Sequence, residues 1–60
     1  MNEMLDFVKA LSDANRLKII GLLAQQPYSV EELAALLSLK APTVSHHLAI
    51  LREADLVTVR

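Results

Sequence analysis

Along the chain, apolar residues recur at helical spacing in four blocks separated by short polar or proline-containing breaks. Met4, Phe7, Val8 and Leu11 stand at i, i+3, i+4 and i+7 and predict a helix over about residues 2–11. Ser12-Asp13 interrupts that pattern, and Asp13 is suited to cap the helix that follows, because its carboxylate can accept from first-turn N–H groups. From there to about Gln25 the chain is apolar on most of its circumference. Leu17, Ile20 and Ala24 form one stripe and Ile19, Leu22 and Leu23 another, leaving Ala14, Lys18, Gly21 and Gln25 as a lightly exposed side. A helix apolar nearly all round needs cover on several faces, more than three short neighbours supply, so a partner surface is expected.

Gln26-Pro27-Tyr28 ends this helix, and Ser29-x-x-Glu32 then fits a capping box in which hydroxyl and carboxylate each satisfy a backbone N–H. Val30, Leu33, Ala34 and Leu37 are placed to face a core, and Ser38-Leu39-Lys40 reads as a turn. Ala41-Pro42 opens the fourth helix, where proline is tolerated because first-turn N–H groups lack intrahelical partners. Val44, Leu48 and Leu51 define its expected buried seam, and the helix runs from about Ala41 to Ala54. Asp55 follows where glycine is usual, and aspartate tolerates the left-handed backbone better than most residues. Leu56-Val57-Thr58-Val59-Arg60 is a short β-prone run.

The third and fourth helices with their short turn make a helix-turn-helix. A helix in that second position fits the major groove of B-DNA and presents its N-terminal side chains to base edges and phosphates. At roughly 100° per residue, the direction opposite Val44, Leu48 and Leu51 is occupied by Pro42, His46, Ala49 and Glu53, with Thr43 and Ser45 flanking it. Thr43, Ser45 and His46 therefore point outward together near the start of the helix. Lys40, at its mouth, is the best phosphate candidate. Arg16, Lys18 and Arg52 read instead as solvated charges or helix-end ion pairs. His47 lies beside the apolar seam and reads as a partly buried histidine bonded to a backbone group. His46 and His47 are adjacent and diverge by roughly 100°, so they cannot readily grip one metal ion.

Composition narrows the rest. The chain is 60 residues with 53% hydrophobic residues, one glycine, two prolines and no cysteine, which describes one small bundle of aliphatic helices without disulfides or thiolate metal sites. No apolar run approaches the roughly 20 residues that span a bilayer, and Met1-Asn2-Glu3-Met4 lacks the basic start of a secretory signal, so a cytoplasmic protein is expected. The net charge of −1 gives only a weak basic footprint, although the cations gather at Arg16 and Lys18 and again at Lys40, Arg52 and Arg60. No strained nucleophile turn, phosphate-cradling glycine loop or paired-carboxylate cleft is present, which argues against an enzyme and against a cofactor.

Three collinear stretches carry a family resemblance: Leu11-Ser12-Asp13-Ala14-Asn15-Arg16-Leu17-Lys18-Ile19-Ile20, Ser29-Val30-Glu31-Glu32-Leu33-Ala34, and Thr43 through Val57. In order and spacing they resemble the ArsR/SmtB-type winged-helix repressors over nearly the whole chain. The resemblance implies a mainly α, winged helix-turn-helix domain spanning residues 1–60, with four helices and the start of a β wing. It implies a transcriptional regulator, a repressor rather than an activator, that binds double-stranded operator DNA as a homodimer. By position, Ala41, Pro42, Thr43, Ser45 and His46 match family positions that face DNA. Pro42 departs from the pattern by lacking a hydrogen-bonding side chain, and Lys40 stands where a capping hydroxyl is common. The wing and a later dimerisation helix would follow Arg60, so the sequence is expected to be part of a longer regulator. Ser29 and Glu31 fall where many relatives carry a Cys-x-Cys metal pair. Without thiolate or imidazole there, no metal is expected at that place. The rival reading is a winged-helix module used only for protein interaction or dimerisation, which the balanced charge and Pro42 favour and a basic surface around Lys40 opposes.

Overall fold

The computed structural model describes residues 2–57. It contains four helices in chain order: α1 (Glu3–Ala10), α2 (Ala14–Gln25), α3 (Val30–Leu37) and α4 (Ala41–Glu53). There is no strand among the described residues. Of the run expected to begin the wing, Thr58, Val59 and Arg60 lie outside the described residues, while Leu56 and Val57 form a half-buried bend behind α4.

Three of the four helices start on side-chain caps, and two of these caps, Asp13 and Ser29, are the ones the sequence pattern indicates. Asn2 caps α1 by accepting from the N–H groups of Met4 (3.0 Å) and Leu5 (3.2 Å) at its Oδ1. Asp13 caps α2 in the same way, accepting from Asn15 (2.8 Å) and Arg16 (3.2 Å). The capping box at α3 is complete: Glu32 N–H donates to the Ser29 hydroxyl at 3.0 Å and Ser29 N–H donates to the Glu32 carboxylate at 2.8 Å. Helix α4 alone lacks this device, for Lys40 occupies its N-cap position and makes no side-chain cap.

Two helices end on a left-handed residue that is not glycine. Ser38 (φ 57°) closes α3 and Asp55 (φ 58°) follows α4. In both places the next N–H reaches back to an orphan helix carbonyl, Leu39 to Ala34 at 2.9 Å and Leu56 to Leu51 at 2.9 Å. This is the Schellman arrangement, and it returns an apolar residue to the helix it has just left. The pattern anticipates Asp55 in this role. Ser38 carries no comparable signal beyond lying in a turn.

The core is small. Ile19 of α2, Leu33 and Ala34 of α3, and Val44 and Leu51 of α4 are buried together, with Ala10 the single buried residue of α1. Helix α4 packs against both α3 and α2, and half-buried Leu22, Leu23, Leu37, Leu48 and Leu56 close around it. The two apolar stripes of α2 fare unequally: Ile19 is fully buried, whereas Leu17 is 52% exposed. Helix α1 lies at the margin, with Met4, Leu5, Phe7 and Val8 all exposed.

The N–H of Arg16 donated to Asp13 holds that carboxyl below its ordinary value of 3.8, with the Asn15 N–H and the Arg16 guanidinium adding to the effect and partial burial opposing it. A carboxyl whose pKa is depressed by folding stabilises the fold fully above the unfolded value. That contribution is lost as pH falls through the folded one. Thermal unfolding followed between pH 5 and pH 2 should therefore show stability falling below about pH 4. Asp13→Asn, which keeps a capping acceptor but does not titrate, should give a shallower decline. An identical decline in the variant would remove Asp13 from this account.

Candidate nucleic-acid interface

The orientation of α4 follows from which of its residues the core takes. Val44, His47 and Leu51 are buried, while Leu48 is only half-buried. The spacing i, i+3, i+7 thus replaces the expected seam of Val44, Leu48 and Leu51, and a histidine sits where an aliphatic residue would be assumed. This is possible because its polar edge has a partner. Arg16 reaches across from α2 and places Nη1 3.3 Å from His47 Nδ1. The expectation that His47 is bonded to a backbone group is corrected accordingly, since the recorded partner is a side chain.

Arg16 also departs from the reading as a solvated or ion-paired charge. Its Nε donates to the carbonyl of Ala10 at 2.8 Å and its Nη2 to the carbonyl of Lys9 at 3.0 Å. The guanidinium therefore fills the last turn of α1 with donors, where helix carbonyls lack intrahelical partners and a positive charge is favoured. Lys18 and Arg52, by contrast, are exposed.

With that face committed inward, the start of α4 presents a compact group outward. Lys40, Pro42, Thr43, Ser45 and His46 are exposed and Ala41 is half-buried. All the sequence-predicted site residues are thus brought together on the first two turns. The rings of His46 and His47 lie 6.2 Å apart and tilted by 46°, one outside and one inside, so they do not form a chelating pair. The backbone at this end offers less than a typical helix start. Thr43 and Val44 N–H both donate to the Lys40 carbonyl, at 3.0 and 3.2 Å, and Pro42 has no N–H. Any anion approaching here meets chiefly the Lys40 ammonium and the hydroxyls of Thr43 and Ser45.

Ser29 and Glu31 are accounted for separately. The Ser29 hydroxyl is engaged in the α3 capping box, and Glu31 is exposed in the first turn. Among the described residues no group of three or more His, Cys, Asp or Glu stands close enough to hold a metal ion.

The geometry is a helix-turn-helix with an outward, polar face at the start of α4. Comparison with protein families matches residues 13–59 to the bacterial regulatory proteins of the arsR family. The chain belongs to this family. Similar curated proteins include a transcriptional repressor SmtB homologue of Synechocystis sp., 41% identical over 58 residues, covering 97% of this chain and 44% of the relative. The HTH-type transcriptional regulator KmtR of Mycobacterium tuberculosis is 42% identical over 57 residues, covering 95% of this chain and 44% of its own. A biofilm growth-associated repressor of Agrobacterium fabrum is 41% identical over 58 residues, covering 97% and 50%. The chain thus spans about half the length of these relatives. No solved structure matches it significantly. The arsR family is one of regulators, not of enzymes, in keeping with the absence of catalytic motifs in the sequence.

Among the polar contacts that sequence reasoning missed, the Arg16 bridge is the one that bears on the seating of α4. Its signal was present but divided: an arginine three residues after a capping aspartate, and a histidine three residues after the first seam residue of a helix 31 positions away.

Proposed function

We propose that this domain binds double-stranded operator DNA and represses transcription in the cytoplasm, with α4 in the major groove. Lys40 contacts a phosphate, and Thr43, Ser45 and His46 read base edges, while Ala41 and Pro42 pack close to the DNA backbone. The observation that carries this reading is the clustering of exposed Lys40, Thr43, Ser45 and His46 at the start of the second helix of the motif, in a chain of the arsR family. The similar proteins named as transcriptional repressors support repression over activation.

We further propose that the protein acts as a homodimer through α1. Exposed Met4, Leu5, Phe7 and Val8 make an apolar face on a helix that contributes only Ala10 to the core. At about 25 cal/mol per Å² of apolar surface removed from water, covering a few hundred Å² supplies several kcal/mol. A two-fold pair would set two α4 helices about one DNA turn apart, or a multiple of it, on a palindromic site.

Lys40 separates stability from binding. Because it caps α4 without a side-chain bond, Lys40→Ser should raise stability by about 0.5–1 kcal/mol through a new cap. The same change should weaken binding to every duplex and reduce the slope of log affinity against log salt by about one unit. Thermal melts and titrations at two salt concentrations measure both effects. Undiminished binding by the Lys40/Ser45/His46 triple alanine variant would contradict the interface, and folded protein that binds no duplex at all would instead favour the protein-interaction reading.

Sedimentation at tens of micromolar tests the assembly. A dimer is expected, shifted toward monomer by Phe7→Glu with the helix content unchanged. A folded wild-type monomer without self-association would contradict it.

A further inference from the structure

We propose that Arg16 is a positioning residue for the α4 interface, tying the end of α1 to the recognition-type helix through His47. The inference rests on the reading of α4 as the DNA-contacting element. A guanidinium carries five N–H donors in a rigid planar fork and no acceptor. Two edges of that fork are fixed on α1, at Ala10 O (2.8 Å) and Lys9 O (3.0 Å), and the remaining nitrogen stands 3.3 Å from His47 Nδ1. Since arginine can only donate, the bond forms only if His47 accepts at Nδ1 and carries its hydrogen on Nε2. The planarity of the group then links three bodies: the last turn of α1, the first turn of α2 from which Arg16 springs, and the middle of α4.

The burial pattern makes this link consequential. Helix α1 enters the core with a single alanine, so these two carbonyl bonds are a large part of what locates it. His47 is 8% exposed and immediately follows His46, with Ser45 two positions before it on the same turn. A small rotation of α4 about its axis would leave Val44 and Leu51 in apolar surroundings but would break the directional bond to Arg16. The aliphatic contacts thus hold α4 in the core, and the arginine fixes its rotational setting. Whatever covers the apolar face of α1 is joined to the face of Thr43, Ser45 and His46 through one side chain.

The test uses the wild-type protein, Arg16→Lys, His47→Gln and His47→Leu, with folding checked by circular dichroism. The DNA probe is a duplex selected by the wild-type protein from a random-sequence pool, alongside a scrambled control. Imidazole nitrogen shifts of free wild-type protein should show His47 with Nδ1 unprotonated and Nε2 carrying the hydrogen. Arg16→Lys, which keeps the charge but not the fork, and His47→Leu, which removes the acceptor, should lose about tenfold in discrimination between selected and scrambled duplex, the scale of one charge-assisted hydrogen bond. Binding to the scrambled duplex should stay unchanged. His47→Gln, whose amide oxygen can accept from Arg16, should retain discrimination. If Arg16→Lys does not fold, the two His47 variants carry the comparison. His47 with its hydrogen on Nδ1, wild-type discrimination by His47→Leu, or equal losses on both duplexes by folded variants would overturn the proposal. A wild-type protein that selects no duplex would overturn the DNA reading and the role of Arg16 in it, while the nitrogen shifts would still decide whether the bridge itself exists.

Discussion

The structure depends on how α4 is seated. In so small a domain the fully buried large side chains are Ile19, Leu33, Val44 and Leu51, drawn from three helices, and two of them belong to α4. Their mutual burial decides which side of α4 faces inward and hence which side is left to water. Such a core contributes apolar stabilisation without much directionality, because dispersion and water exclusion scale with area rather than angle. Direction is added at the edge of the core, where His47 replaces an aliphatic residue and meets Arg16. One polar contact among apolar ones is an effective way to specify a single rotational setting, since an unmatched buried donor or acceptor is costly.

The same economy runs through the helix ends. Three helices are begun by side-chain caps and two are closed by left-handed residues that send the following N–H back to a free carbonyl. The capping of α1, α2 and α3 makes the bare start of α4 conspicuous. A hydroxyl at position 40 would favour the helix, and a lysine there forgoes that contribution. A residue that gives up local stability at the mouth of α4 is consistent with the phosphate contact proposed for Lys40.

Much of this was legible in the sequence because it rests on local rules. The helices follow from apolar spacing, with boundaries within about a residue or two of those predicted, and Asp13, the Ser29–Glu32 box and Asp55 act as their chemistry indicates. The exposed group at Lys40, Thr43, Ser45 and His46 also follows, because a helix buried on one side must show the other. What was not legible is what depends on distant parts of the chain. The preference for His47 over Leu48 in the seam requires Arg16 to arrive from another helix. The inward turn of Arg16 in turn requires the last carbonyls of α1 to lie beside it. Helical periodicity gives a direction to within about a third of a turn, so the choice between adjacent seam positions falls to such tertiary contacts. The left-handed Ser38 escaped for a different reason: serine carries little preference for that backbone, and the apolar return of Leu39 imposes it.

The central claim is that the start of α4 is the surface that meets DNA, and backbone amide shifts recorded during titration with a duplex test it most directly. The account predicts perturbations concentrated at Lys40, Ala41, Thr43, Ser45 and His46, with the amides of Ile19 and Leu33 little changed. Shifts confined to the apolar face of α1, at Met4, Leu5, Phe7 and Val8, or no shifts at any duplex concentration, would contradict it.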